Sequence, residues 1–221
     1  AGRAGVSLPT HYEKGSGPRV LVFLHGVGAD AESWSPQLDH FATRGYRAVA
    51  WNLPGYGGTA MLPELTFAGI AASLLSLLDA LKIERADLVG HSYGGMVALE
   101  FVATHADRLR TLTLSGTSPA FGRPDGEWQQ KFVRERLAPI EVGKSMADLA
   151  PGIIKSLAGR APNPMGMAIA KRSISQVPTA TFAAGVRLLV TFDRRGALAA
   201  IRTPTLVLAG EQDTNAPADM M

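Results

Sequence analysis

Residues 86–106, ADLVGHSYGGMVALEFVATHA, set a serine among glycines at the seam between two differently patterned stretches. Ala86 to Gly90 reads as a short buried strand, and 94–106 carries apolar residues at helical spacing. Joining the two so abruptly demands a sharp strand-to-helix turn. The positions two before and two after the serine must then be small, and both are glycine, Gly90 and Gly94. Such a turn lifts the Ser92 hydroxyl above the end of a sheet and aims the partial positive charge of a helix N-terminus at it. The Gly-x-Ser-x-Gly string alone says little in a chain with 24 glycines among 221 residues. Its place between strand and helix makes Ser92 a candidate nucleophile.

The same alternation runs through the first half of the chain. Strands are predicted at 19–25, 46–53, 86–90 and 109–116, and helices at 31–45, 66–83 and 94–106. Trp34, Leu38 and Phe41 share one face of the first helix, Gly45 stops it, and Thr66 caps the second. Short apolar strands separated by helices imply crossover connections, hence an α/β fold with a mostly parallel central sheet covered by helices on both faces. From 117 to 200 the pattern changes to helical segments at 127–138, 142–158, 164–176 and 179–192, and a strand returns within 203–213. The expected organisation is a core over 1–116, an inserted helical cap over 117–200, and a return to the core over 201–221.

Attack on a carbonyl needs donors for the oxyanion that develops. FLHGVGAD, residues 23–30, ends a strand in a glycine-bearing turn, which nominates the backbone N–H groups of Val27 and Tyr93, with Gly26 and Gly28 allowing close approach. A serine also needs a base, steadied by a carboxylate that follows it in the chain. LAGEQDTNAP supplies that acid at a strand end, Asp213 in preference to Glu211. The base is harder to place. The five histidines, His11, His25, His40, His91 and His105, all precede Asp213. His25 and His91 flank the two turns and are expected to shape backbone; His40 and His105 lie on helices, and His11 is near the N-terminus. A catalytic histidine is therefore expected beyond residue 221, with a last helix and strand, on the order of 40 residues further on.

Composition narrows the partners. A net charge of +3 without a run of basic residues argues against nucleic acid. The absence of cysteine excludes disulfides, thiolate chemistry and cysteine metal sites, and suits the cytoplasm. No metal or cofactor is expected. The apolar stretch 70–83 is broken by Asp79 and Lys82 and falls short of the roughly 18 residues of a membrane span. The N-terminal AGRAGVSLP lacks a signal-like apolar core.

Taken together, His25-Gly26-Val27, the turn NLPGYGGT (52–59), the elbow 90–95 and Asp213 resemble the α/β-hydrolase superfamily. The resemblance implies Ser92 as nucleophile, Asp213 as acid, and the Val27 and Tyr93 amides as oxyanion hole. Asn52 stands where that family usually has aspartate and is expected to be a structural turn residue. HGVGADAESWSPQL and GTSPAFGRPDGEWQQKF are most similar to the 3-oxoadipate enol-lactonase group and small carboxylesterases. That likeness implies a small-molecule ester or lactone bearing a carboxylate, which Arg123 would bind, in a pocket lined by Trp128; a homodimer is the one protein assembly considered. The alternatives on the same triad are C–C bond hydrolysis, against which Val27 interrupts the expected glycine triplet, and peroxyacid formation. Epoxide and haloalkane hydrolysis need an aspartate where Ser92 stands. A ligand-binding protein without turnover is the rival class.

Overall fold

Backbone groups buried in a parallel sheet must pair with neighbouring strands, and successive side chains then face opposite layers. A computed structural model describes residues 8–122 and 125–221. In chain order it contains β1 (His11–Lys14), β2 (Arg19–Leu24), α1 (Ser35–Ala42), β3 (Tyr46–Trp51), α2 (Phe67–Ala80), β4 (Ala86–His91), α3 (Tyr93–His105), β5 (Leu109–Ser115), α4 (Glu127–Glu141), α5 (Met146–Leu157), α6 (Pro164–Gln176), α7 (Thr179–Leu189) and β6 (Thr205–Leu208). The sheet order is β1-β3-β2-β4-β5-β6, parallel throughout except for β1.

The strand at β1 was not anticipated. HYEK has no apolar alternation; it forms by pairing its backbone with β3, His11 opposite Trp51 and Lys14 opposite Ala48. The expected helix over 31–45 divides into a 3-10 turn, Ala31–Trp34, and α1, with Pro36 at the start of α1. The expected cover on both faces of the sheet is seen at β2. Val20, Val22 and Leu24 join the large core formed with α2 and α3, whereas Leu21 and Phe23 pack with Leu38 of α1 on the other side. Among the described residues no helix is long and apolar enough to cross a membrane.

Sheet order locates the crevice. The chain winds outward from β2 to β3, then crosses back through α2 to lay β4 on the other flank of β2. Winding reverses between β2 and β4, and in open α/β sheets the loops at the carboxyl ends of such a pair bound the ligand crevice. Here those loops begin at His25 and Ser92. The helices between β5 and β6 are tied to this end. Residues 120 and 193 pair as an antiparallel bridge, flanked by hydrogen bonds from Phe121 N–H to Phe192 O (2.9 Å) and from Arg194 N–H to Pro119 O (2.8 Å). The Arg194 guanidinium then grips buried Glu100 of α3 with two bonds, 2.5 and 2.8 Å.

Removing one partner of a buried pair leaves a charge stranded, though solvent reaches this guanidinium. Arg194→Ala is expected to cost about 2–4 kcal/mol. Arg194→Lys should recover only part, because an ammonium cannot reproduce the fork. Urea unfolding of the three proteins checks this; a loss below about 0.5 kcal/mol, the level of a surface pair, would contradict it.

Candidate active site

Ser92 follows β4 and caps α3 with φ 52° and ψ −118°, a conformation rare for a residue with a side chain. What holds it there is lack of space for anything else. A Cβ on Gly94 would lie 2.4 Å from the carbonyl oxygen of Leu24, and one on Gly90 2.5 Å from that of Gly94. The small residues expected on both sides of the serine are thus required by backbone on both sides. The Ser92 N–H donates to Ser115 O at 2.9 Å, stitching the turn to the end of β5. Ser92 is part-exposed, and its hydroxyl forms no hydrogen bond with another of the described residues.

The turn after β2 lies directly against this serine, with the Cβ position of Gly26 3.5 Å from Ser92 Cβ. His25 organises it. Its Nε2 accepts from the Leu53 N–H (3.2 Å), and a backbone amide only donates, so the proton is on Nδ1, which donates to Gly26 O (2.9 Å). The Gly26 carbonyl shares a peptide plane with the Val27 N–H, so His25 aims that amide by holding the plane's other end. The Ala29 N–H adds a second bond to Gly26 O (3.1 Å). The Tyr56 hydroxyl, edge-on to His25, donates to Val27 O (2.9 Å). Neither the Val27 nor the Tyr93 amide donates to an acceptor among the described residues. Two free N–H groups beside a strained serine can stabilise an oxyanion.

Asp213 sits where β6 comes alongside β5, Gly116 N–H donating to Leu208 O (3.0 Å). Oδ1 of Asp213 accepts from the amides of Asn215 (2.8 Å) and Ala216 (3.1 Å). Oδ2 lies 3.4 Å from the Cβ position of Gly116, which is also 3.3 Å from Cε1 of the His91 ring. Glu211 is exposed. No histidine hydrogen-bonds the Ser92 hydroxyl among the described residues. His91 is engaged at Nδ1 with Ser115 O (3.1 Å), His11 with Pro9 O, His40 with Arg44 and His105 with Thr104.

Several contributors to this site were not found in the sequence. Tyr56 lies inside the quoted turn 52–59, yet its hold on Val27 depends on a fold-level approach. Asn52 does act as a turn residue: its Oδ1 accepts from Ala31 N–H (2.8 Å) and its amide donates to Thr10 (3.0 Å). Asp30, buried, exchanges two bonds with Ser173 of α6, accepting from its hydroxyl at 2.7 Å while its own N–H donates to that oxygen at 2.9 Å. Burial pushes the Asp30 carboxyl up, the Ser173 bond opposing. Gly185 of α7 admits Val27, since a Cβ there would stand 2.6 Å from Val27 Cγ2. The helical segment thus seats on the turn that carries the Val27 amide. Trp128 is 59% exposed, stacked on Phe132 and packed on Phe121. Arg123 lies outside the described residues.

Comparison with known proteins agrees with this architecture. A family model described as alpha/beta hydrolase fold matches residues 19–221. The chain belongs to the α/β-hydrolase fold family. Its relatives in that family include 3-oxoadipate enol-lactonase 1 of Acinetobacter baylyi, 27% identical over 96% of this chain and 77% of that protein. A 2-hydroxy-6-oxononadienedioate/2-hydroxy-6-oxononatrienedioate hydrolase of Paraburkholderia phymatum is 37% identical, over 51% of this chain and 41% of its own length. Among solved structures, a thermophilic esterase from Thermogutta terrifontis is similar with a TM-score of 0.83 at 25% identity, covering 96% of this chain and 78% of that one.

Burial lowers the His25 pKa from its ordinary 6.5 to about 4, the bond to Gly26 O opposing only in part. The neutral ring is favoured in the fold, so its stabilising contribution is complete above pH 6.5 and is lost as pH falls toward 4. The shift corresponds to roughly 3 kcal/mol. Urea unfolding against pH should show that loss in the wild type and not in His25→Asn, which cannot titrate; equal slopes in the two would contradict it. Asp30, with the opposite sign, is common to both proteins and drops out of the comparison.

Proposed function

We propose that this protein is a serine hydrolase that cleaves a small carboxylic ester or lactone through an acyl-enzyme on Ser92. The observation that carries the reading is the strained Ser92 turn packed against the Gly26–Val27 peptide, with two unengaged amides beside the hydroxyl. The Ser92 oxygen attacks the carbonyl carbon. The carbonyl π electrons move onto oxygen, and the Val27 and Tyr93 amides stabilise that charge. Collapse expels the alkoxide or enolate, which takes up the proton lost by Ser92, and water then hydrolyses the acyl-serine by the same sequence of steps. Asp213 is the carboxylate that would orient the base taking this proton. The open Oδ2 of Asp213, with Oδ1 already satisfied by two amides, suits that part. Similarity to an enol-lactonase over nearly the whole chain favours lactones and esters as the substrate class.

A second reading is hydrolysis of a C–C bond next to a ketone, which the 37% identity to the dioate hydrolase favours. The same nucleophile and oxyanion donors serve it, so relative rates on an aryl ester, a five-membered lactone and a 2-hydroxy-6-oxo-dienoate separate the two.

In the full-length protein, Ser92→Ala should lower kcat on p-nitrophenyl acetate by a factor on the order of 10³ or more, with the fold intact by circular dichroism. Turnover within about tenfold of wild type would remove Ser92 from the mechanism.

A further inference from the structure

The Val27 amide is aimed through the carbonyl end of its peptide plane, and the Tyr93 amide is open to the same treatment. Its plane ends in the Ser92 carbonyl, so whatever holds that oxygen sets the direction of the Tyr93 N–H. Three donors converge there. The Gly95 N–H (2.9 Å) and the Met96 N–H (3.2 Å) are the bonds any helix makes at its first turn. The third, and the shortest at 2.7 Å, comes from outside the helix, from the hydroxyl of Thr117.

Thr117 is only 3% exposed and stands just past the end of β5, after Gly116 has turned the chain with φ 52°. The helix is shaped to receive it. A Cβ at Gly95 would lie 2.6 Å from Thr117 Cβ, 2.7 Å from Cγ2 and 2.7 Å from Oγ1. Gly95 is not one of the small positions that the elbow turn itself demands; its lack of a side chain makes room for this threonine. Two positions 22 residues apart are thus fitted to one hydrogen bond.

We infer that Thr117 is a positioning residue for the oxyanion hole: by holding the Ser92 carbonyl from the strand side, its hydroxyl fixes the direction of the Tyr93 N–H, as His25 does for Val27. The inference rests on the reading of Ser92 as nucleophile and of the two amides as oxyanion donors. The helix alone would leave the carbonyl along its axis with freedom to rock. The bond from Thr117, two residues past β5, ties the plane to the end of the sheet on which the serine stands, so the donor is in place before charge develops. Thr117 touches neither substrate nor reacting atoms in this scheme.

Thr117→Val removes the hydroxyl while keeping the shape that fills the space over Gly95, and Thr117→Ser keeps the hydroxyl while losing the methyl. With the full-length protein and p-nitrophenyl acetate, Thr117→Val should lower kcat about three- to tenfold with KM within about twofold. Affinity for an alkyl boronic acid, which forms a tetrahedral adduct on the serine, should fall in parallel, and Thr117→Ser should restore most of both. Thr117→Ala serves the same comparison if the valine variant does not fold. A structural role alone would move the unfolding midpoint without the parallel loss in kcat and boronate affinity. Unchanged kcat in Thr117→Val, a loss confined to KM, or a serine variant as impaired as valine would overturn the inference while leaving the hydrolase reading in place. A wild type that neither turns over esters nor binds the boronate would overturn both.

Discussion

The carbonyl oxygen of Leu24 leaves no room for a side chain at position 94, and from that contact much of the site follows. Because α3 starts against the end of β2, the peptide after Ser92 and the peptide after Gly26 are neighbours. Because the sheet reverses its winding between β2 and β4, this meeting occurs at the crevice where ligands enter such folds. The cost is a non-glycine residue held at φ 52°, which the surrounding strands and glycines over-determine. Strain of this kind persists only where packing leaves no alternative.

Around that contact the protein controls direction through peptide planes. His25 is buried as a neutral ring and donates to one carbonyl, Thr117 donates to another, and Tyr56 secures the residue between His25 and the helical segment. None of these side chains has to meet a substrate to matter. The helices between β5 and β6 take part as well. Ser173 bonds Asp30 and Gly185 makes room for Val27, while Arg194 ties the end of the segment to α3 behind Ser92. Displacing those helices would disturb the turn that carries the Val27 amide.

Legibility in the sequence followed the range of the interactions. The elbow could be read because its constraints are local: Gly90, Ser92 and Gly94 fall within five residues and their spacing states the turn. The strands from Arg19 to Ser115 could be read because burial writes short apolar runs into each, and the helices from α2 to α7 because one apolar face recurs at helical spacing. β6 could be read from its apolar run TLVL although its residues are exposed. β1 could not, since its four residues owe their conformation to the backbone of β3 rather than to a pattern of their own. Tyr56, Asp30, Ser173 and Thr117 were hidden for the same reason, each acting on a residue between 25 and 143 positions away. Gly95 was visible as one more glycine of the elbow, but its reason, the side chain of Thr117, exists only in the folded molecule.

The proposed mechanism stands on Ser92 as an activated nucleophile in a formed oxyanion hole. Treating the full-length protein with a fluorophosphonate and mapping the adduct by peptide mass spectrometry tests it most directly, because the reagent needs both a reactive serine and donors for the phosphoryl oxygen. A single adduct is expected on the tryptic peptide spanning residues 86–108, localised to Ser92. A protein that stays unmodified, or that is modified at another serine, would contradict it.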